Sequence, residues 1–105
     1  MAKLITVYWR DIPAQVIAKR GRETAKVQLS ERFQKAIDRA AMRAGKGSSD
    51  KYLEDWRRVR KNCGGVLEDE AKAEAERLEA AHDDELLEKM VKAGGLALAD
   101  VTEGD

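Results

Sequence analysis

Leu4-Ile5-Thr6-Val7-Tyr8-Trp9, closed by Arg10-Asp11-Ile12-Pro13, decides the fold class of this chain. β-Branched and aromatic side chains lose rotamer freedom in a helix and suit a pleated surface. Leu4, Thr6 and Tyr8 fall on one face of a strand, and Ile5, Val7 and Trp9 on the other. Both faces are mostly apolar, the pattern of a strand that is central or covered on both sides. Pro13 has no backbone donor and marks a turn or a sheet edge. Gln15–Lys19 reads as a second strand and Thr24–Gln28 as a third. Between them Lys19-Arg20-Gly21-Arg22-Glu23 forms a hairpin tip, with Gly21 free to take positive φ.

Downstream the period changes. Ser30 is an N-cap candidate, and Glu31 in the first turn suits the helix dipole. From Glu31 to Ala44, Phe33, Ile37, Ala40, Ala41 and Ala44 gather on one side, with Arg32, Lys35, Arg39 and Arg43 opposite. Gly45 ends that helix, and Lys46-Gly47-Ser48-Ser49 forms a loop. Tyr52, Leu53, Trp56 and Val59 then follow helical spacing, although part of Trp56–Arg60 also fits an extended chain. Asn62-Cys63-Gly64-Gly65 is a breaker.

The final helix is expected over about 68–92, with the stripe Ala71, Ala75, Leu78, His82, Leu86 and Met90. Glu85 and Lys89 interrupt any heptad seam, so this helix docks on a globular surface and is not a coiled coil. Gly94-Gly95 stops it, and 94–105 reads as a flexible tail from which Leu96, Leu98 and Val101 can dock. The expected architecture is α+β: a two- or three-stranded antiparallel sheet against about three helices, the last long and acidic. One domain over 1–93 comprises an aromatic core in 1–60 and an acidic docking helix. The candidate core is Leu4, Val7, Trp9, Phe33, Ile37, Trp56 and Leu78.

Composition narrows the function classes. The chain has 105 residues, enough for one domain, with 43% hydrophobic residues and 38% charged. That charge density excludes an apolar membrane span, and one cysteine excludes an internal disulfide framework. No secretory signal pattern opens the chain, and the expected location is the cytoplasm. The net charge of +0 conceals an asymmetry. Residues 1–63 hold 16 basic and 7 acidic side chains, whereas 64–105 hold 4 and 13. The halves should attract each other, within one molecule or between copies.

Four stretches carry a family resemblance: Thr6-Val7-Tyr8-Trp9-Arg10-Asp11-Ile12-Pro13-Ala14-Gln15-Val16, Glu23 through Phe33, Ala36-Ile37-Asp38-Arg39-Ala40-Ala41, and Tyr52-Leu53-Glu54-Asp55-Trp56-Arg57-Arg58. Together they make residues 3–85 similar to the small bacterial virulence factor domain family. In that family the domain stands alone or is joined to larger helical-repeat proteins. The resemblance implies no molecular activity and no catalytic residues.

Candidate chemistry is sparse. His82 sits between Leu78 and Leu86 on the apolar stripe, where a half-buried ring with one hydrogen bond is the expected state. Cys63 has no CxxC partner, and its expected role is a passive small side chain. Gly64-Gly65 and Gly94-Gly95 lack phosphate-loop spacing. No metal ligand set, cofactor motif or catalytic group is expected.

The candidate partner-binding residues are Lys19, Arg20 and Arg22 at the hairpin tip, Arg32, Lys35, Arg39 and Arg43 on the first helix, and Arg57 and Arg58. The leading expectation is a non-catalytic protein-interaction or accessory module using this basic surface. A second is a subunit completing a metabolic enzyme's active site through Arg10, Asp11 and Arg58. A third is a nucleic-acid binder, whose phosphate contacts would be salt-dependent.

Overall fold

The computed structural model describes residues 2–45 and 49–96 of the chain. Its elements run β1 (Ala2–Trp9), β2 (Ile12–Arg20), β3 (Glu23–Gln28), α1 (Glu31–Arg43), α2 (Ser49–Glu54), β4 (Trp56–Cys63), α3 (Leu67–Ala81) and α4 (Asp84–Lys92). The strands form one antiparallel sheet in the order β3-β2-β1-β4. The apolar strand β1 is internal, as its two-faced pattern requires.

Among the described residues, four strands replace the expected two or three. The added strand is β4, in a segment where helical spacing also fitted. It pairs with β1 in unbroken register from Ala2↔Cys63 to Trp9↔Trp56, supplying hydrogen-bond partners to the second edge of β1. The helix preceding it is confined to α2. Pro13 does not end a strand; it lies buried inside β2, beside a bulge. Val7 pairs with Gln15 and Tyr8 with Pro13, so Ala14 is the extra residue. A bulge tolerates proline and re-aims the side chains beyond it.

Helix α3 crosses β2 and β3 on one face of the sheet, and α1 packs against α4. A single cluster joins Leu4, Trp9, Ile12 and Val16 to Phe33 and Ile37 of α1, Leu67, Ala71 and Ala75 of α3, and Leu87, Met90 and Val91 of α4. The C-terminal helices therefore build the same core as the aromatic N-terminal region. Fully burying one Phe33-sized side chain contributes roughly 1.5–3 kcal/mol. Of the expected core, Leu4, Val7, Trp9, Phe33 and Ile37 are buried, while Trp56 and Leu78 are only partly so.

The long acidic helix over 68–92 is two helices. His82 and Asp83 separate them, and the Asp83 carboxylate caps α4 by accepting from the Leu86 N–H at 2.8 Å. Ser30 occupies the N-cap position of α1 without a side-chain cap bond. Its N–H and hydroxyl instead donate to the Glu79 carboxylate, at 2.6 and 2.9 Å.

Gly94 and Gly95 belong to the folded body. Gly94 O accepts from Arg10 Nη1, and the Asp11 N–H donates to Gly95 O, each at 2.9 Å. Gly95, at φ +96°, lies against the Trp9 indole, where a Cβ would meet Cζ3 at 2.8 Å. Leu96 follows and is exposed, while the rest of the expected tail, including Leu98 and Val101, lies outside the described residues, as do Lys46-Gly47-Ser48.

Candidate functional site

The two faces of the sheet differ sharply. Strand alternation puts Ala2, Leu4, Thr6, Val16 and Ala18 on the face covered by α3. The opposite face carries Lys3, Ile5 and Val7 of β1, Gln15, Ile17 and Lys19 of β2, Thr24, Lys26 and Gln28 of β3, and Arg58, Arg60 and Asn62 of β4. The registers align them in three rows: Asn62-Lys3-Lys19-Thr24, Arg60-Ile5-Ile17-Lys26 and Arg58-Val7-Gln15-Gln28. Ile5, Val7 and Ile17 form their own cluster, joined by Trp56 and, among the described residues, by no helix residue. Ile5, Val7 and Ile17 are each below a tenth exposed.

This face holds the cations Lys3, Lys19, Lys26, Arg58 and Arg60 and no carboxylate at any of its row positions. Lys3 stands directly opposite Lys19, an unfavourable like-charge pair in a sheet. Lys3 Nζ donates to Asn62 Oδ1 at 2.7 Å, which holds the amine on this face. An open depression of about 290 Å³ lies among Val7, Gln15, Trp56, Arg57 and Arg58.

From the basic stripe of α1, the half-buried Arg32 and the exposed Arg39 and Arg43 reach α3 and α4. Arg32 donates to the Glu79 and His82 carbonyls at 2.9 and 2.5 Å, at the C-terminal end of α3. It also pairs with Glu79 at 3.0 Å and Asp84 at 3.2 Å, while its guanidinium lies 4.6 Å over the Phe33 ring. Arg39 forms a bidentate pair with Glu88, and Arg43 donates to Lys92 O. Lys35 pairs only along its own helix, with Glu31 at 3.8 Å. Burial raises the Glu79 pKa, but the Ser30 and Arg32 bonds outweigh it and hold the carboxyl below its ordinary range. The attraction between the charged halves thus operates inside the molecule.

Other predicted residues have local partners too. Arg57 donates to Arg10 O and Asp11 Oδ1, and lies 4.6 Å over the Tyr8 ring. Burial pushes the Tyr8 phenol up, against the pull of Arg57. Arg10, at φ +53°, pairs with Asp55 at 3.1 Å and covers the Trp9 ring. The polar ends of Arg10 and Asp11 therefore serve the turn after β1. Arg20 donates to Gly65 O, beside an open groove of about 500 Å³ that also exposes Glu23 and Glu68. Arg22 remains exposed at the hairpin tip, where Gly21 takes φ +57°. Only Lys19 and Arg58 of the predicted set join the bare face. The predicted set leaves out Lys3, Lys26 and Arg60 there; their strand alternation is the available signal.

His82 is half-buried, its Nδ1 2.8 Å from Leu78 O and its ring edge-on to Phe33. Cys63 is partly buried and unbridged. No group of three or more His, Cys, Asp or Glu side chains is arranged for a metal ion among the described residues. No helix among them is long and apolar enough to cross a membrane.

A family model described as Virulence factor matches residues 7–91, from within β1 almost to the end of α4. The chain belongs to that family. No curated protein and no solved structure matches it.

Proposed function

We propose that this chain is a non-catalytic protein-interaction module of the bacterial cytoplasm, receiving an acidic partner on the bare face of its sheet. One observation carries the reading: Lys3, Lys19, Lys26, Arg58 and Arg60 share a helix-free face whose row positions contain no carboxylate. The basic side of α1, by contrast, meets Glu79, Asp84 and Glu88 within the molecule. An opposed Lys3–Lys19 pair is an unfavourable local choice for folding, and such conflicts concentrate at functional surfaces. Charge sets encounter rate and orientation, while the half-buried Trp56 beside the Ile5, Val7 and Ile17 cluster supplies apolar contact area.

A protein fits this face better than a nucleic acid strand. Sheet faces that bind single strands stack bases on several aromatic rings, whereas this one offers Trp56 alone.

The test is affinity capture with the full chain, the captured protein being identified, purified and rebound across a salt series. Lys19→Glu/Arg58→Glu/Arg60→Glu should lose that protein, and Lys35→Glu on α1 should retain it. Retention by the triple variant with loss by Lys35→Glu would return the contact surface to α1.

A further inference from the structure

We infer that the partner is anchored by an extended acidic strand added to the open edge of β4. This inference rests on the proposed acidic-partner reading and adds an edge contact, through Arg58 and Arg60, to the partner's contact with the face. Among the described residues, strand β4 pairs with β1 on one side and with no strand on the other. Its eight residues run in unbroken register, without proline or bulge, and all but Trp56 and Cys63 at its ends are exposed. About half of its backbone N–H and C=O groups therefore point outward.

Sheet edges are normally protected by shortness, bulges, proline, a covering element or charge. On β4, among the described residues, only the last device is present. Arg57, Arg58, Arg60 and Lys61 are all positive, and the strand has no acidic residue. The opposite edge, β3, is shorter, carries Glu23 and packs against α3.

A charge of one sign discriminates between incoming strands. A second copy of β4 would set cations beside cations, a repulsive pairing. An acidic strand would place carboxylates beside Arg58 and Arg60 while completing the backbone ladder. Arg57 and Lys61, which point to the other face, already contact Asp11 and Glu74. Recognition therefore falls to Arg58 and Arg60, and the intervening Val59, 43% exposed, meets an uncharged side chain. The fitting sequence alternates acidic with apolar or β-branched residues. It extends the row Arg60-Ile5-Ile17-Lys26 by one strand.

The experiment titrates the intact chain into fluorescein-labelled peptides and follows anisotropy. The probe is an eight-residue peptide alternating glutamate and valine. Its partners are the same peptide with every backbone amide N-methylated, a lysine-for-glutamate version, and an eight-nucleotide oligothymidylate. Strand addition predicts salt-sensitive binding of the acidic peptide and none of the lysine peptide. N-methylation should weaken binding roughly 30-fold or more, the low end for about four lost backbone hydrogen bonds. Arg58→Glu/Arg60→Glu should reverse the preference toward the lysine peptide. N-methylated peptide binding within about threefold of the parent would overturn strand addition and leave the acidic-partner reading intact. Oligothymidylate binding more tightly than the acidic peptide would overturn the acidic-partner reading itself, and no binding of the acidic peptide would overturn both.

Discussion

Replacing Gly95 with alanine tests the contact that closes the fold. The added Cβ would lie 2.8 Å from Cζ3 and 3.2 Å from Cε3 of Trp9, and 3.4 Å from Arg10 Cβ. The indole has no room to retreat: it is fully buried, donates Nε1–H to Tyr52 O at 2.7 Å, and stacks on the Tyr52 ring. Holding an L-residue in left-handed backbone costs roughly 1–2 kcal/mol. Overpacking a filled site typically adds about 1–3 kcal/mol. Gly95→Ala should therefore destabilise by about 2–5 kcal/mol, a large share of the 5–15 kcal/mol typical of a domain. Gly21→Ala is the reference, because φ is +57° there and nothing lies within 4 Å of the new methyl. It carries the backbone cost alone, roughly 1–2 kcal/mol. Urea unfolding followed by tryptophan fluorescence should rank Gly95→Ala clearly below Gly21→Ala. Equal losses would refute the packing argument. A Gly95→Ala change of under about 0.5 kcal/mol, the range of ordinary surface substitutions, would detach Gly95 from the folded body.

Three further outcomes are expected. Phe33→Ala should cost about 3–5 kcal/mol in the same assay, because Phe33 lies fully buried where α1 joins the shared core. Glu79→Gln should cost about 1–3 kcal/mol at neutral pH, the scale for hydrogen bonds to a charged group. The Glu79 pKa is lowered by folding, so its contribution is complete well above the ordinary value of about 4.3 and is lost as pH falls through the folded value. Urea midpoints of wild type and Glu79→Gln should thus converge in acid, and a constant gap down to pH 3 would remove the ionised carboxylate from the account. Arg58→Glu/Arg60→Glu should leave stability within about 0.5 kcal/mol, since both residues are exposed; a larger loss would give them a role in folding.

Some of this molecule is legible in its residues and some is not. β1 announces itself because both its faces are apolar, and α1 because Phe33, Ile37, Ala40 and Ala41 share a helical stripe. β4 is obscured because Arg57, Arg58, Arg60 and Lys61 occupy both faces and erase period-two contrast, while Tyr52, Trp56 and Val59 mimic a helix. The break at His82-Asp83 hides in an acidic run, where a capping aspartate resembles its neighbours. Its cue is Asp83 three residues ahead of Leu86, whose N–H it accepts. The basic stripe of α1 was visible as a surface, but its facing carboxylates came from residues about fifty positions away. Periodicity locates a charged face; only the packing of α1 on α4 reveals what that face meets.

The seating of Gly95 on Trp9 also bears on the order in which a nascent chain can finish folding. Translation delivers β1, β2 and β3 first, as a meander of neighbouring strands. At about 5–20 residues per second, the ribosome needs several seconds more to supply the loop that covers the indole. Until then the largest side chain of the core remains uncapped, so a stalled or truncated product would present a hydrophobic target to chaperones and proteases.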